Sequence, residues 1–145
     1  MPGKIIPSKI HSQVLVVFLN RLLAEQLSEG DLGFLEHKYL CINISDAGIK
    51  YYLSLKNQKL ISVASQNIVD IEIQANLYHF LQLAARQQDS DTLVFQRLLI
   101  MQGSTELGLE LKNFLDGLDL ESSTEFTKIE RLLKKILPLY KRIFS

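Results

Sequence analysis

The side chains in this sequence most capable of chemistry are three histidines, one cysteine and a pair of closely spaced carboxylates. His11, His37 and His79 are scattered, and none belongs to an HExxH helix that would hold zinc. Cys41 has no second cysteine to complete a metal or redox motif, and no GxSxG elbow presents a serine nucleophile. Cys41 lies in a predicted strand, where a lone thiol is most simply a small buried apolar group. Asp70 and Glu72 share one face of another predicted strand and have the spacing to hold a metal between them. An exposed polar strand face accounts for both without one. His79 falls on the outer side of its predicted helix, and Gly48, Gly103 and Gly108 do not compose a phosphate-binding loop. The residues therefore predict no catalytic group, no metal and no cofactor.

The elements around these residues follow from periodicity. Pro7 and Ser8 precede a helix predicted over 9–28, ended by Gly30; Ile10, Val14, Leu15, Val16, Val17, Phe18, Leu19, Leu22, Leu23 and Leu27 go nearly round it. Such a helix needs cover on more than one side, from its own domain, a second subunit or a lipid. From Tyr39 the period becomes two: Leu40, Ile42 and Ile44, a turn at Asp46-Ala47-Gly48, then Ile49, Tyr51, Leu53 and Leu55. Asn57-Gln58 marks a second turn before a strand at 60–64, and a fourth strand spans 68–74 with Val69, Ile71 and Ile73 inward. Asn76 is placed to cap a helix whose inner face is Leu77, Phe80, Leu81 and Ala84. Residues 87–91 read as a loop and 92–96 as a helical turn. The apolar run 98–101 has the length of a strand covered on both faces. Gly103 frees the backbone for a turn, and Ser104 caps a helix on which Leu107, Leu111, Phe114, Leu115 and Leu118 form a stripe, with Lys112 and Asp116 pointing away. Gly108 at the stripe's edge implies either simple packing or close approach of a backbone or ligand. The result is an α+β domain in which a largely antiparallel sheet of about five strands is covered by helices.

Length and composition bound the rest. The 145 residues suit one domain with a real core, and 22% charged with 47% hydrophobic residues describe an ordinary globule. A single cysteine excludes an internal disulfide and favours a cytosolic setting. The longest early apolar run, 14–19, is too short to span a membrane, and no cleavage site for secretion follows it. Localisation is expected to be cytoplasmic, with peripheral contact at the inner membrane.

The zero net charge hides an asymmetry. Residues 126–145 carry Lys128, Arg131, Lys134, Lys135, Lys141 and Arg142 against Glu130 alone, so an acidic body bears a basic tail. Nucleic acid is excluded as a partner, because the body lacks the positive surface that phosphates require. Ser122 and Glu125 have capping-box spacing. On a helical wheel Phe126, Ile129, Leu132, Leu133, Ile136, Leu137, Leu139, Tyr140, Ile143 and Phe144 share an arc from which every charge is absent. Pro138 is expected to kink or divide that helix while projecting on its polar side. The tail either folds over its own domain or acts as a lid or membrane contact. Near an anionic leaflet each basic group contributes ~1 kcal/mol. These features fit a lipid-binding or a partner-binding domain and do not choose between them.

Residues 91–118, DTLVFQRLLIMQGSTELGLELKNFLDGL, resemble the C-terminal part of sterol-carrier-protein-type-2 domains, where a strand and a Gly-acid turn lead into a leucine-lined helix. More closely they resemble the UbiT (YhbT) group of bacterial proteins, in which DTLFFQR precedes an apolar strand and GDTELGLELKN. Asn20, Arg21, Leu22 and Leu23, with Asp46, Gly48 and Tyr52, are similar to that group too, so the likeness runs from about Val14 to Leu118. Ser104 departs from the group's usual Asp and can still cap.

The resemblance implies a sterol-carrier-type lipid-binding domain over 1–120 and a basic amphipathic helical tail over 121–145. It implies a non-catalytic accessory factor of oxygen-independent ubiquinone biosynthesis. That factor would bind polyprenylated ubiquinone intermediates or membrane lipid and present them to hydroxylating partners, namely UbiU- and UbiV-like proteins. Leu107, Leu111, Phe114, Leu115 and Leu118 would line one cavity wall, facing Tyr51, Leu53, Phe80 or Phe95. Lys134, Lys135, Lys141 and Arg142 would meet an anionic membrane. The alternative is a ligand-free interaction or homo-oligomerisation module.

Overall fold

The period-two segments pair into one five-stranded sheet in the order β3 (Lys59–Ser62), β2 (Ile49–Lys56), β1 (Leu40–Ile44), β4 (Ile71–Ala75), β5 (Ile100–Gly103). The computed structural model describes residues 8–84 and 87–118, with 8–11 and 84 as backbone, and tail residues 127, 128, 131, 134, 135 and 138. β1 (Leu40–Ile44), β2 (Ile49–Lys56) and β3 (Lys59–Ser62) form the predicted antiparallel meander. Positive φ at Asn57 (53°) and Gln58 (62°) makes the tight β2–β3 turn. β4 (Ile71–Ala75) then crosses back to lie parallel to β1, and β5 (Ile100–Gly103) pairs antiparallel with β4.

Register sorts the faces. Leu40, Leu53 and Ile71 stand side by side and are all buried beneath the helices. Cys41, Tyr52 and Glu72 form the matching row on the other face. Cys41 is buried as expected, and burial, with the Glu72 carboxylate second, pushes its thiol up to about 11.

The helical layer consists of α1 (Ser8–Leu22), α2 (Ala24–Ser28), a 3-10 turn (Gly33–Leu35), α3 (Leu77–Ala84), α4 (Ser90–Phe95) and α5 (Thr105–Gly117). Its core joins Leu23, Leu27 and Leu35 to Leu40, Leu55, Leu60, Ile71 and Ile73 of the sheet and to Leu107 and Leu111 of α5. A smaller cluster of Ala75, Leu93 and Leu99 lies under α4, and Phe80 and Met101 pack against both.

Several boundaries differ from the sequence reading. The 9–28 helix divides at Leu23, whose φ of −104° and ψ of 21° leave the helical region and let Leu27 turn into the core. The fourth strand begins at Ile71 rather than 68, and Ile68 is exposed. The Asp70 carboxylate accepts from the Tyr39 N–H at 2.7 Å and the Asp70 carbonyl from the Ser104 N–H at 2.8 Å, which ties down the strand entrance. Leu98 and Leu99 are not strand residues. Both amides donate to the Leu93 carbonyl and close the end of α4, so the last strand starts at Ile100 and forms a sheet edge, not a strand covered on both faces.

Two caps also differ. The Leu77 amide donates to the Asp46 carboxylate from the β1–β2 turn, 3.0 Å away, while Asn76 accepts from the Ser45 hydroxyl. α4 starts two residues before the expected helical turn, capped by Asp89, which accepts from the Thr92 N–H. Ser104 caps α5 as predicted, accepting from the Leu107 N–H. Gly103, at φ +119°, is required: a Cβ there would overlap the Asp70 carbonyl.

The described tail residues are helical and exposed, Lys134, Lys135 and Pro138 among them. Lys141, Arg142 and the tail's apolar arc lie outside the described residues. Among the described residues no helix is long and apolar enough to cross a membrane.

Candidate binding cleft

Where α5 runs past the packed core, its stripe meets open space. Phe114, Leu115 and Leu118 form one wall of a half-open cleft of about 410 Å³. Leu19 and Leu22 of α1, with Leu23, form the second wall, and Phe80 and Leu83 of α3 the third. The volume lies within the usual range of small-molecule pockets, about 300–1,000 Å³. Three helices present these residues because each has apolar positions three or four apart: Leu19 and Leu22, Phe80 and Leu83, Phe114, Leu115 and Leu118.

One end of the cleft is polar. Gln87, Gln88 and Asp89 lead into Ser90, which is 1% exposed and donates its hydroxyl to Asp116 Oδ1. Lys112 Nζ pairs with Asp116 at 3.0 Å and also with Asp91, and the hydrogen bonds to Asp91 and then Asp116 hold the ammonium above its ordinary range. Asp89 is held below the usual carboxylate range by the Thr92 amide. Lys112 and Asp116, predicted to point away from the stripe, thus turn toward α4 and join it to α5 at the cleft's rim. A second hollow, about 550 Å³, is walled by Glu25, Asp31, Glu110 and Asn113 and is mainly polar.

The candidate residues separate into groups. Phe80, Phe114, Leu115 and Leu118 come together on the cleft. Leu107 and Leu111, on the same stripe, are 6% and 5% exposed in the solid core and reach no open space. Leu53 is fully buried in the sheet, and Tyr51 stands half-buried beside Ile42, where burial raises its phenol above the ordinary range. Neither lines the cleft. Phe95 departs from the expectation: it ends α4, is 89% exposed, and is not among the residues that line this cleft.

Gly108 makes no close backbone approach, since a Cβ there would meet only Ile71 Cδ1 at 3.6 Å, an ordinary contact. Leu19, Leu83, Ser90 and Asp116 were missed as cleft residues. Leu83 carried a signal, being one helical turn from Phe80. Ser90 carried none, because its partner is 26 residues away.

The polar residues first considered for chemistry have structural partners. Glu72 accepts from Asn43 Nδ2 at 3.0 Å. His79 Nδ1 lies 3.0 Å from Gln82 Oε1 and its ring meets Tyr78 edge-on, so it is half-buried rather than simply solvated. Among the described residues no three His, Cys, Asp or Glu side chains converge as metal ligands.

A family model described as the SCP-2 sterol transfer family matches residues 19–116. The ubiquinone biosynthesis accessory factor UbiT of Escherichia coli K12 is 41% identical over 122 residues, which cover 83% of this chain and 69% of that protein. The protein of the same name in Escherichia coli O157:H7 gives the same figures. Among solved structures, one described as "UbiJ-SCP2 Ubiquinone synthesis protein" superposes with a TM-score of 0.61 at 16% identity, covering 77% of this chain and 94% of that one. That last likeness is one of fold.

Proposed function

The chain belongs to the SCP-2 sterol transfer family, and from that premise we propose that it is a non-catalytic lipid-binding accessory factor of ubiquinone biosynthesis, as its UbiT relatives are named. Its guest is a polyprenylated ubiquinone intermediate or a membrane lipid, taken into the cleft between α1, α3 and α5 and presented to hydroxylating UbiU- and UbiV-like proteins of the oxygen-independent route. The observation that carries this reading is the cleft itself: three helices turn Leu19, Leu22, Phe80, Leu83, Phe114 and Leu115 toward open space instead of toward one another. Apolar walls favour an apolar guest in proportion to the area removed from water, roughly 25 cal/mol per Å². The polar end at Gln87, Asp89 and Ser90 suits the head of such a molecule, with its chain among the leucines. Peripheral docking would use Lys134, Lys135, Lys141 and Arg142 against an anionic leaflet.

Mass spectrometry of a lipid extract from the gently purified full chain tests the reading. Co-purified quinone intermediate or phospholipid is expected. A chain that emerges empty, and stays empty after incubation with a polyprenylated quinone, ends it. For the membrane contact, Lys134→Glu with Lys135→Glu should reduce sedimentation with anionic vesicles; binding indifferent to that change and to salt removes the electrostatic part.

A second reading, a ligand-free interaction module, draws on α1, whose Val14 and Val17 are 63% and 51% exposed. A stable oligomer without bound lipid in native mass spectrometry favours it.

A further inference from the structure

The two edges of the sheet are finished differently. On the β3 side the Asn20 carboxamide of α1 meets the Leu60 backbone twice: Nδ2 donates to the carbonyl and Oδ1 accepts from the N–H, both at 2.9 Å. A side chain there takes the place that another strand would fill. On the β5 side the Ser104 N–H donates to the Asp70 carbonyl, and antiparallel pairing alternates between hydrogen-bonded and non-bonded pairs. Gln102 and Ile100 therefore turn their backbone groups toward β4, opposite Glu72 and Gln74, and Met101 and Gly103 turn theirs outward. No side chain among the described residues does for those outward groups what Asn20 does for Leu60. Unpaired edges are normally blunted by shortness, a charge, a proline, a bulge or a covering element, and of these β5 has shortness, at four residues. The strand Ile-Met-Gln-Gly carries no charge and no proline, Ile100 is 38% exposed, and Phe95 just before it is 89% exposed.

We propose that β5 is a contact between two copies of this chain, paired antiparallel about a two-fold axis at Gln102. The register follows from the outward groups. Met101 and Gly103 are separated by one residue, so each meets the other in the second copy, and the four outward N–H and C=O groups of each strand find partners in the other. Gln102 then faces Gln102 of the second copy as the non-hydrogen-bonded pair, where Cα atoms stand about 4.5 Å apart and two carboxamides can each donate and accept. An isologous contact of this kind requires a patch that complements itself, and a neutral strand brings no like charges face to face. The inference is independent of what the cleft holds.

Sedimentation equilibrium of the full chain should show a dimer. Gln102 is exposed, so its variants leave the fold intact. Gln102→Cys, in a Cys41→Ala background, should form an intermolecular disulfide on mild oxidation, because the expected Cα spacing lies within the bridgeable range of about 4.4–6.8 Å. Gln102→Lys sets like charges directly opposite one another and should weaken the dimer by up to about fivefold. Mixing the Lys variant with Gln102→Glu should restore it, a readout that a pairing with any other strand would not give. A chain that sediments as a monomer overturns the proposal, including one whose β5 captures a strand of a different protein. A dimer indifferent to Lys, Glu and Cys at position 102 overturns it equally.

Discussion

The two halves of α5 carry one leucine stripe and meet different surroundings. Leu107 and Leu111 sink against Ile71, Ile73 and Leu35 in a packed interior. One to two turns later Phe114, Leu115 and Leu118 face a cleft of about 410 Å³. The spacing is the same, and so is the direction relative to the sheet. What changes is the opposing surface: the first half is buried in the cluster that Ile71 and Ile73 of the sheet share, whereas the second half only borders that cluster and lines a cleft whose other walls are α1, α3 and the segment 87–90. Helical periodicity reports which side of a helix turns inward. It carries no information on whether that side meets side chains or space, because this depends on the length and placement of partners distant in sequence.

Truncating the buried half gives the largest expected effect. Leu111→Ala should cost about 2–5 kcal/mol in urea unfolding, the transfer term plus the cavity left in a core that cannot fully collapse. Lipid uptake measured on the folded fraction should be nearly unchanged. Loss of uptake at wild-type stability would erase the distinction between the halves. Leu115→Trp is the converse. Its added atoms enter open space rather than packed core, so stability should move by less than about 1 kcal/mol. Uptake of a fluorescent prenyl or acyl probe should fall sharply. If Leu115→Trp destabilises the fold as much as Leu111→Ala does, the cleft is core and the carrier reading loses its support.

The same contrast separates what was legible in the sequence from what was not. The α+β class, the β1–β3 meander, the Ser104 cap and the need for Gly103 could all be read locally, because turn residues and period-two alternation act over a few positions. The parallel insertion of β4 beside β1 could not, since pairing partners 31 residues apart leave no local trace. Asp46 shows the same limit: read as a turn residue, it also caps α3 across the sheet end. Phe95 was misplaced because an aromatic residue in an apolar run is normally inward, and here the bonds from Leu98 and Leu99 to the Leu93 carbonyl turn the chain so that Phe95 faces solvent. Leu19 lay on a recognised helical face and Leu83 lay outside the face read for its helix, and the cleft they share arises only when α1, α3 and α5 converge.

The smallest effect belongs to Gly108, between the two halves. Its position on the stripe fitted either a close neighbour or plain packing, and the distance of 3.6 Å that a methyl on its Cα would keep from Ile71 Cδ1 decides for packing. Gly108→Ala removes the backbone freedom of the unfolded chain and adds one ordinary contact, so it should stabilise α5 by up to about 1 kcal/mol, seen as a rise in Tm. The methyl points at Ile71, on the core side, and not into the cleft, so uptake should stay the same. A destabilised variant would mean that α5 sits closer to the sheet than this geometry allows. A stabilised variant with impaired uptake would mean that α5 must flex at Gly108 to admit the guest, and the boundary between packed and open halves would then be a hinge rather than a fixed feature of the fold.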